Sequence, residues 1–355
     1  MDKLGYGGWS TVWLAHDFQK KQYVALKVGI ADSLPHEVTV LHALGKQTTV
    51  PGSAAIPRVL DEFRIEGPNG SHPCYTTAPA LCNLRESSFS RLFRLDVARA
   101  LAYELTLAVA YVHSRGYVHG DTHLRNVLVS AQKDFNQLSV AQFREKYGEP
   151  DSYPKKKPLN SPQDAHILLS DFGESFAPAE EPRLGKDCHA PVDFRPPEAR
   201  FEPNTPLSFS ADIWSLATAI WDILGMQALF SSAFYSDAKV MCQIVDTLGP
   251  LPSDWFEKWE DQEDFFDAKG KPKPGRHVWP KIQGAFEETV QQYRRDDNMG
   301  EFCEEETAAI LDMMVQMLRY RPEERPTVQQ VLQSDWMVKW ARADYSGVIG
   351  PSIAF

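Results

Sequence analysis

The sequence predicts an α+β protein built as two lobes, a small strand-rich one followed by a larger helical one. Three observations carry this expectation. Residues 1–82 hold short β-branched and aromatic runs separated by polar turns. Residues 83–340 hold long apolar patterns of helical period. Polar motifs suited to chemistry fall on both sides of that change of character, as expected if a site lies between the lobes. Residues 341–355 are read as a C-terminal tail.

The runs STVWLAHD and QYVALKVGI flank the polar turn FQKK and read as paired strands. A strand ahead of them has only the four residues before Gly5 to draw on. The first strand is therefore expected to be truncated, leaving the sheet edge poorly covered. DSLPHEVTVLHALG reads as a short helix that Asp32 or Ser33 can cap, with Pro35 in its first turn and Gly45 at its end. Val38, Leu41 and Leu44 recur on one face, so this helix should pack on the strands. RVLDEFRI and PCYTTAP read as two further strands.

LDVARALAYELTLAVAYVHSRG is one long helix ended by Gly116. SADIWSLATAIWDILG is apolar on nearly every face, the mark of a helix buried inside a lobe. EETAAILDMMVQMLRYRP and TVQQVLQSDWMVKW close the domain as helices. Two stretches interrupt this order. Residues 131–165 are rich in Pro and Lys without steady periodicity and read as an exposed insertion. Residues 251–297 mix Trp, Pro and acidic side chains and read as a second insertion. There is no internal repeat.

The 355 residues, 43% hydrophobic and 24% charged, are enough for one large two-lobed domain. A net charge of −11 argues against direct nucleic-acid binding, which calls for a basic face. It suits basic partners, or simply keeps the protein soluble. The five cysteines form no C-x-x-C pair, and CHAP at Cys188–Pro191 has no second pair to complete a zinc site. No apolar run approaches the ~18 residues of a membrane span, and MDKLGYGGWS has no signal-peptide pattern. A cytoplasmic or nuclear protein, free of the membrane, is expected.

An ordered series of motifs carries the candidate chemistry. LGYGGWSTV sets Gly5 and Gly7 just before a strand, where backbone N–H groups can approach phosphate oxygens; a plain hairpin turn is the alternative, and the third position of the pattern holds Ser10. Lys27 in VALKV lies in an apolar strand, so its ammonium needs a counter-charge or an edge open to water. Glu37 is the sole glutamate between Lys27 and Asp61. In HGDTHLRN, Asp121 and Asn126 fit H-x-D-x-x-x-x-N, where the Asp orients an attacking hydroxyl and the Asn ligates magnesium; two turn-forming residues are the alternative. Asp171 in LLSDFGES follows a strand-like run and can be the second metal ligand. Glu198 in RPPEAR and Arg325 in RPEERPT can pair across the large lobe. Asp212 in SADIWS can favour a helix dipole or brace the catalytic loop. Alone each motif is modest, but their joint order from Gly5 to Arg325 is not a chance assembly.

The chain resembles a eukaryotic protein kinase over nearly its whole length. More narrowly, KLGYGGWSTVWLAHD, HGDTHLRN, SDFGESF and FRPPEARFEP resemble the serine/arginine-rich-protein-specific kinases, especially their fungal-type members. An insertion after the catalytic loop is similar to that family, and LGPLPSDWFEKW resembles the start of the extra segment between late helices of the wider kinase group to which that family belongs. The resemblance implies a bilobal kinase fold, ATP and magnesium, and transfer to serine in Arg/Ser-rich proteins such as splicing factors. It implies Asp121, Arg125 and Lys27 as catalytic residues. Leu4, Gly5, Gly7, Gly8, Val12, Ala25, Lys27, Glu37, Thr77 and Ala80 would line the nucleotide site, and Asn126 and Asp171 would ligate the metal. A monomer is expected. The acidic run FEKWEDQEDFFD can attract Arg-rich segments, or be a solvated loop.

Two further departures from the family pattern bear on activity. Gly120 stands where many kinases carry an Arg that meets an activation-loop phosphate, and Ser175 is the only hydroxyl side chain between Asp171 and Glu198. Activity is therefore expected not to depend on phosphorylation of that loop, as in the resembled family. His123 stands where a Lys is usual, and Arg125 can supply the charge instead. His123 also resembles the loop of small-molecule kinases that act on antibiotics. An aminoglycoside-type kinase and a pseudokinase that only binds partners are the two rival readings.

Overall fold

The computed structural model describes residues 2–349 except 46–48, 88–91, 131–137, 140, 143–144, 146–158, 160 and 234. The Pro- and Lys-rich insertion read at 131–165 lies largely outside the described residues.

The small lobe is a five-stranded antiparallel sheet. Its strands are β1 (Asp2–Tyr6), β2 (Ser10–Asp17), β3 (Gln22–Gly29), β4 (Asp61–Gly67) and β5 (Gly70–Thr77), in the spatial order β1-β2-β3-β5-β4. The first strand is short but not missing. β1 pairs with β2 from Asp2 opposite Leu14 to Tyr6 opposite Thr11, with an irregularity between Lys3 and Gly5. Five residues are enough because the β2–β3 hairpin already supplies a rigid template along its whole length.

Helix α1 (His36–Leu44) buries Val38, Val40, Leu41 and Leu44, and the last three join the apolar cluster of the large lobe rather than the sheet alone. It starts later than the sequence suggested. Pro35 occupies the N-cap with no side-chain cap, and Asp32 instead adopts a left-handed turn conformation. Gly45 ends the helix as expected.

A second sheet, β6 (Ala80–Asn83), β7 (Val127–Ser130) and β8 (Ile167–Leu169), is flanked by the loops that bear Asp121 and Asp171. The large lobe is organised on two buried helices, α2 (Leu95–Ser114) and α3 (Phe209–Leu224). Trp214 and Trp221 of α3 are fully buried, as its all-round apolar pattern requires. Around them pack α4 (Asp237–Leu248) and α5 (Glu304–Met317).

The segment read as a second insertion joins this core rather than hanging from it. Trp255, Trp259, Phe286 and Val290 are all buried. TVQQVLQSDWMVKW is not one helix. It breaks after Val328–Leu332, resumes as a π turn at Met337–Ala341, and continues as α6 (Arg342–Ile349). Tyr345 of α6 packs its ring 5.1 Å from that of Tyr103 on α2, within the span read as a tail.

Candidate active site

Strand register brings the first group of residues together. Val12 and Lys27 are opposite one another on β2 and β3, as are Leu14 and Ala25. Lys27 and Ala25 in turn face Tyr75 and Thr77 on β5. Side chains two apart share a face, so Val12, Ala25, Lys27, Tyr75 and Thr77 lie on one side of the sheet.

The Lys27 ammonium has found the counter-charges its strand position demands. It lies 2.7 Å from Glu37 Oε2 and 2.9 Å from Asp171 Oδ1. Burial pushes the Lys27 pKa down, but the two carboxylates outweigh it and the net shift is upward. Burial pushes Asp171 up, but Lys27 reverses this and holds its carboxyl below the usual range. Glu37 Oε1 also accepts the backbone N–H of Phe172 at 3.2 Å. One glutamate thereby fastens both the strand lysine and the Asp171 turn. Asp171 itself holds a left-handed conformation with φ 63°, and Phe172 is fully buried behind it.

The second group sits on the loop between α2 and β7. Asn126 donates from Nδ2 to the Asp121 carbonyl at 3.0 Å and to Asp121 Oδ2 at 2.8 Å. That network uses the amide nitrogen and leaves the Asn126 side-chain oxygen available, the atom a hard cation would take. Asp121 Oδ1 is buried without a hydrogen bond among the described residues. His123 Nε2 stands 3.4 Å from it, with its ring 5.2 Å from that of Phe194. His123 is thus buried against the loop, whereas Arg125 is exposed. Ser170, just before Asp171, donates from N and Oγ to the Asn126 carbonyl at 2.8 and 2.9 Å, tying the two loops together.

Asp212, at the start of α3, braces the loop from below. It accepts the N–H of His119 at 2.7 Å, the N–H of Gly120 at 2.9 Å and His113 Nε2 at 2.9 Å. Burial raises the Asp212 pKa, yet those donors prevail and the net shift is downward. Farther out, Arg325 and Glu198 form a buried two-pronged pair at 2.7 and 2.6 Å.

Gly7 and Gly8 turn the chain between β1 and β2, with the Gly7 N–H on the Ser10 carbonyl at 2.9 Å. A Cβ on Gly5, Gly7 or Gly8 would meet no protein atom within 4 Å. Packing within the chain does not demand these glycines, and the open space fits phosphates lying against the turn. Leu4 on β1 is half exposed, Thr77 ends β5 and Ala80 begins β6, the strand that leads into the large lobe.

Sequence reasoning missed three contributors. Tyr75 faces Lys27 across β3 and β5, and burial followed by the Glu37 carboxylate pushes its phenol well above the usual range. His36 bonds the Ser175 carbonyl at 2.7 Å, and Ser175 Oγ donates to the His119 carbonyl at 3.0 Å. Only Tyr75 was open to sequence reasoning, through strand pairing; the other two join segments far apart in the chain.

A strand lysine clamped by a helix glutamate, a loop aspartate with an open oxygen, and two oxygen donors beside it form a site for phosphoryl transfer. The protein kinase domain family matches residues 75–337, and the chain belongs to that family. It is similar to a serine/threonine protein kinase of Aspergillus fumigatus, 29% identical over 355 residues, covering 95% of this chain and 84% of that protein. It is also similar to the serine/threonine-protein kinase SRPK of Physarum polycephalum, 24% identical over 94% of this chain and 84% of that protein. The protein kinase dsk1 of Schizosaccharomyces pombe is 34% identical over 145 residues, 37% of this chain and 26% of that protein. The chain is a serine/threonine protein kinase that uses ATP and magnesium.

Proposed function

We propose that this kinase phosphorylates serines in Arg/Ser-rich proteins, splicing factors among them. The observation that carries the reading is a run of exposed carboxylates between Phe256 and Asp267, of which Asp261 pairs with Arg200 and Asp267 accepts backbone N–H groups. Glu257, Glu260, Glu263 and Asp264 are exposed there and make no ion pair among the described residues. Exposed carboxylates of one sign raise the local concentration of a basic chain and steer its approach. The likeness to the Physarum protein supports the same substrate class.

The roles we assign follow from what each atom can do. Lys27, oriented by Glu37, holds the nucleotide's phosphates beneath Gly5, Gly7 and Gly8. Leu4, Val12 and Ala25 cover the adenine, with Thr77 behind it and Ala80 at the hinge. Asn126 and Asp171 offer their free side-chain oxygens to magnesium. ATP supplies the transferred phosphoryl group, and magnesium draws charge from it. Asp121 orients the substrate hydroxyl and takes its proton on the open Oδ1. Arg125, exposed beside Asn126, supplies the positive charge where His123 replaces a lysine.

We place the lobe division at residues 82 and 83, with the tail from 341, and infer a monomer working in the cytoplasm or nucleus. No helix among the described residues is long and apolar enough to cross a membrane. The reading is tested with labelled ATP offered to an Arg-Ser peptide, a Tyr peptide and an aminoglycoside, with Asp171→Ala as control. Label should enter the Arg-Ser peptide alone and vanish in the control. Label on either other acceptor in preference to the Arg-Ser peptide would overturn it.

A further inference from the structure

The first turn of α1 lacks a side-chain cap. The helix is nine residues long, its N-cap is Pro35, and no side chain caps its free N–H groups. A helix this short is marginal by itself and takes its stability from tertiary contacts. Of its buried residues only Val38 lies in the first turn, while Val40, Leu41 and Leu44 hold the later ones, so apolar packing secures the later turns more firmly. Yet the first turn carries Glu37, whose carboxylate must meet both Lys27 and the Phe172 N–H.

His36, half-buried, is the neighbour that reaches across. Its Nε2 lies 2.7 Å from the carbonyl oxygen of Ser175, so this nitrogen carries the proton and donates it to that oxygen. The acceptor is itself rigid. Ser175 is fully buried, its N–H bonds the Phe172 carbonyl at 3.2 Å, and its Oγ donates to the His119 carbonyl at 3.0 Å. The next residue, Phe176, exchanges both backbone hydrogen bonds with Val118, at 2.8 and 3.1 Å. His119 is in turn held by Asp212. An unbroken series of hydrogen bonds thus runs from α1 through Ser175 to the backbone beside Asp121.

We propose that His36 is a positioning residue. It fixes the first turn of α1 against the catalytic loop, so that Glu37 meets Lys27 without any modification of the intervening segment. The hydroxyl of Ser175 is committed to the same series and is closed to solvent. The segment from Asp171 to Glu198 therefore holds α1 through a backbone carbonyl. The inference rests on the roles given above to Lys27 and Glu37, but not on the choice of substrate.

The test measures transfer to a general basic acceptor protein rather than an Arg-Ser peptide, so failure of the substrate reading leaves it intact. His36→Ala should lower kcat about tenfold with the KM for the acceptor within about twofold of wild type. His36→Gln places an N–H donor where Nε2 stood and should restore kcat to within about threefold. In a Glu37→Gln background, His36→Ala should cost less than about twofold, because a residue acting through Glu37 has nothing left to position. Thermal midpoints of the variants should stay close to wild type. A full tenfold loss that persists in the Glu37→Gln background, or His36→Gln as impaired as His36→Ala, overturns the proposal. A wild-type rate in Glu37→Gln itself overturns the role of Glu37 and the proposal with it.

Discussion

The Asp121 carboxylate divides its labour between its two oxygens. Oδ2 is spent on Asn126, which fixes the side chain, and Oδ1 is left open in a buried position. Such an oxygen is poorly solvated and gains by accepting a hydrogen bond from a substrate hydroxyl. Asp121→Asn keeps the shape and removes that capacity. It should lower the transfer rate by about 10²–10⁴ while nucleotide binding, read by a fluorescent analogue, stays near wild type.

Asp212 makes a prediction of a different kind. Its folded-state pKa lies below its unfolded value. Its stabilising share is therefore complete above the unfolded aspartate pKa of about 3.9 and is lost as pH falls through the lower folded value. Urea midpoints measured from pH 6 downward should fall more steeply in wild type than in Asp212→Asn over that acid range. Both residues were legible beforehand, because H-x-D-x-x-x-x-N and D-x-W-S set them at fixed offsets. The division of oxygens was not, since it depends on where Asn126 points.

Between residue and lobe, the element that matters most is the segment from Asp171 to Glu198. It is held by contacts of its own. Glu174 pairs with Arg183 and lies 2.9 Å from His189 Nδ1, and Ser175 bonds the catalytic loop. Gly120 is part of the same join. It adopts φ 80°, and a Cβ there would sit 2.6 Å from the Glu174 carbonyl. Any side chain at 120 would strain its own backbone and push that segment away. Gly120→Ala should cost about 1–3 kcal/mol in stability, seen as a lower denaturant midpoint, and should reduce activity.

If these contacts suffice to hold the segment, exhaustive phosphatase treatment should leave kcat unchanged within about twofold; a collapse of activity would show that a modification holds it instead. The absence of an Arg at 120 could be read from the sequence. The reason for a glycine there could not, because Glu174 is distant in the chain and adjacent only after folding.

At the scale of the whole molecule, an acidic protein exposes Glu257, Glu260, Glu263 and Asp264 on the large lobe, none of them in an ion pair among the described residues. Attraction between exposed charges is screened beyond about 10 Å at 0.1 M ionic strength. The KM for an Arg-Ser peptide should therefore rise steeply as salt is increased from about 50 to 300 mM, with kcat little changed. The combined replacement Glu257→Lys, Glu260→Lys and Glu263→Lys should raise KM at low salt and flatten that dependence. Unaltered kinetics on both counts would identify the acidic run as a merely solvated surface.

What the sequence by itself determined was the kind of fold and the identity of the chemical groups. Period-two and period-3.6 patterns placed strands and helices within a few residues, because each pattern is a local consequence of which face must be buried. Ordered motifs named Lys27, Glu37, Asp121, Asn126 and Asp171, because their chemistry needs those residue types at those spacings. The starts of short elements were less legible. α1 began past Asp32, and β1 formed from five residues where a poorly covered edge was expected. For β1, pairing with the β2 strand of the hairpin outweighed the local signal.

Only the tertiary structure decided how the groups meet. It closed Lys27 onto Glu37 and Asp171, gave Asp121 one occupied and one open oxygen, buried His123 beside it, and joined His36 to Ser175. Lys27–Asp171 and His36–Ser175 join segments 144 and 139 residues apart, and the contacts within the Asp121 loop depend on how its side chains turn once it is folded. No local pattern encodes them, because their energies exist only once desolvation has made an unpaired charge or donor costly.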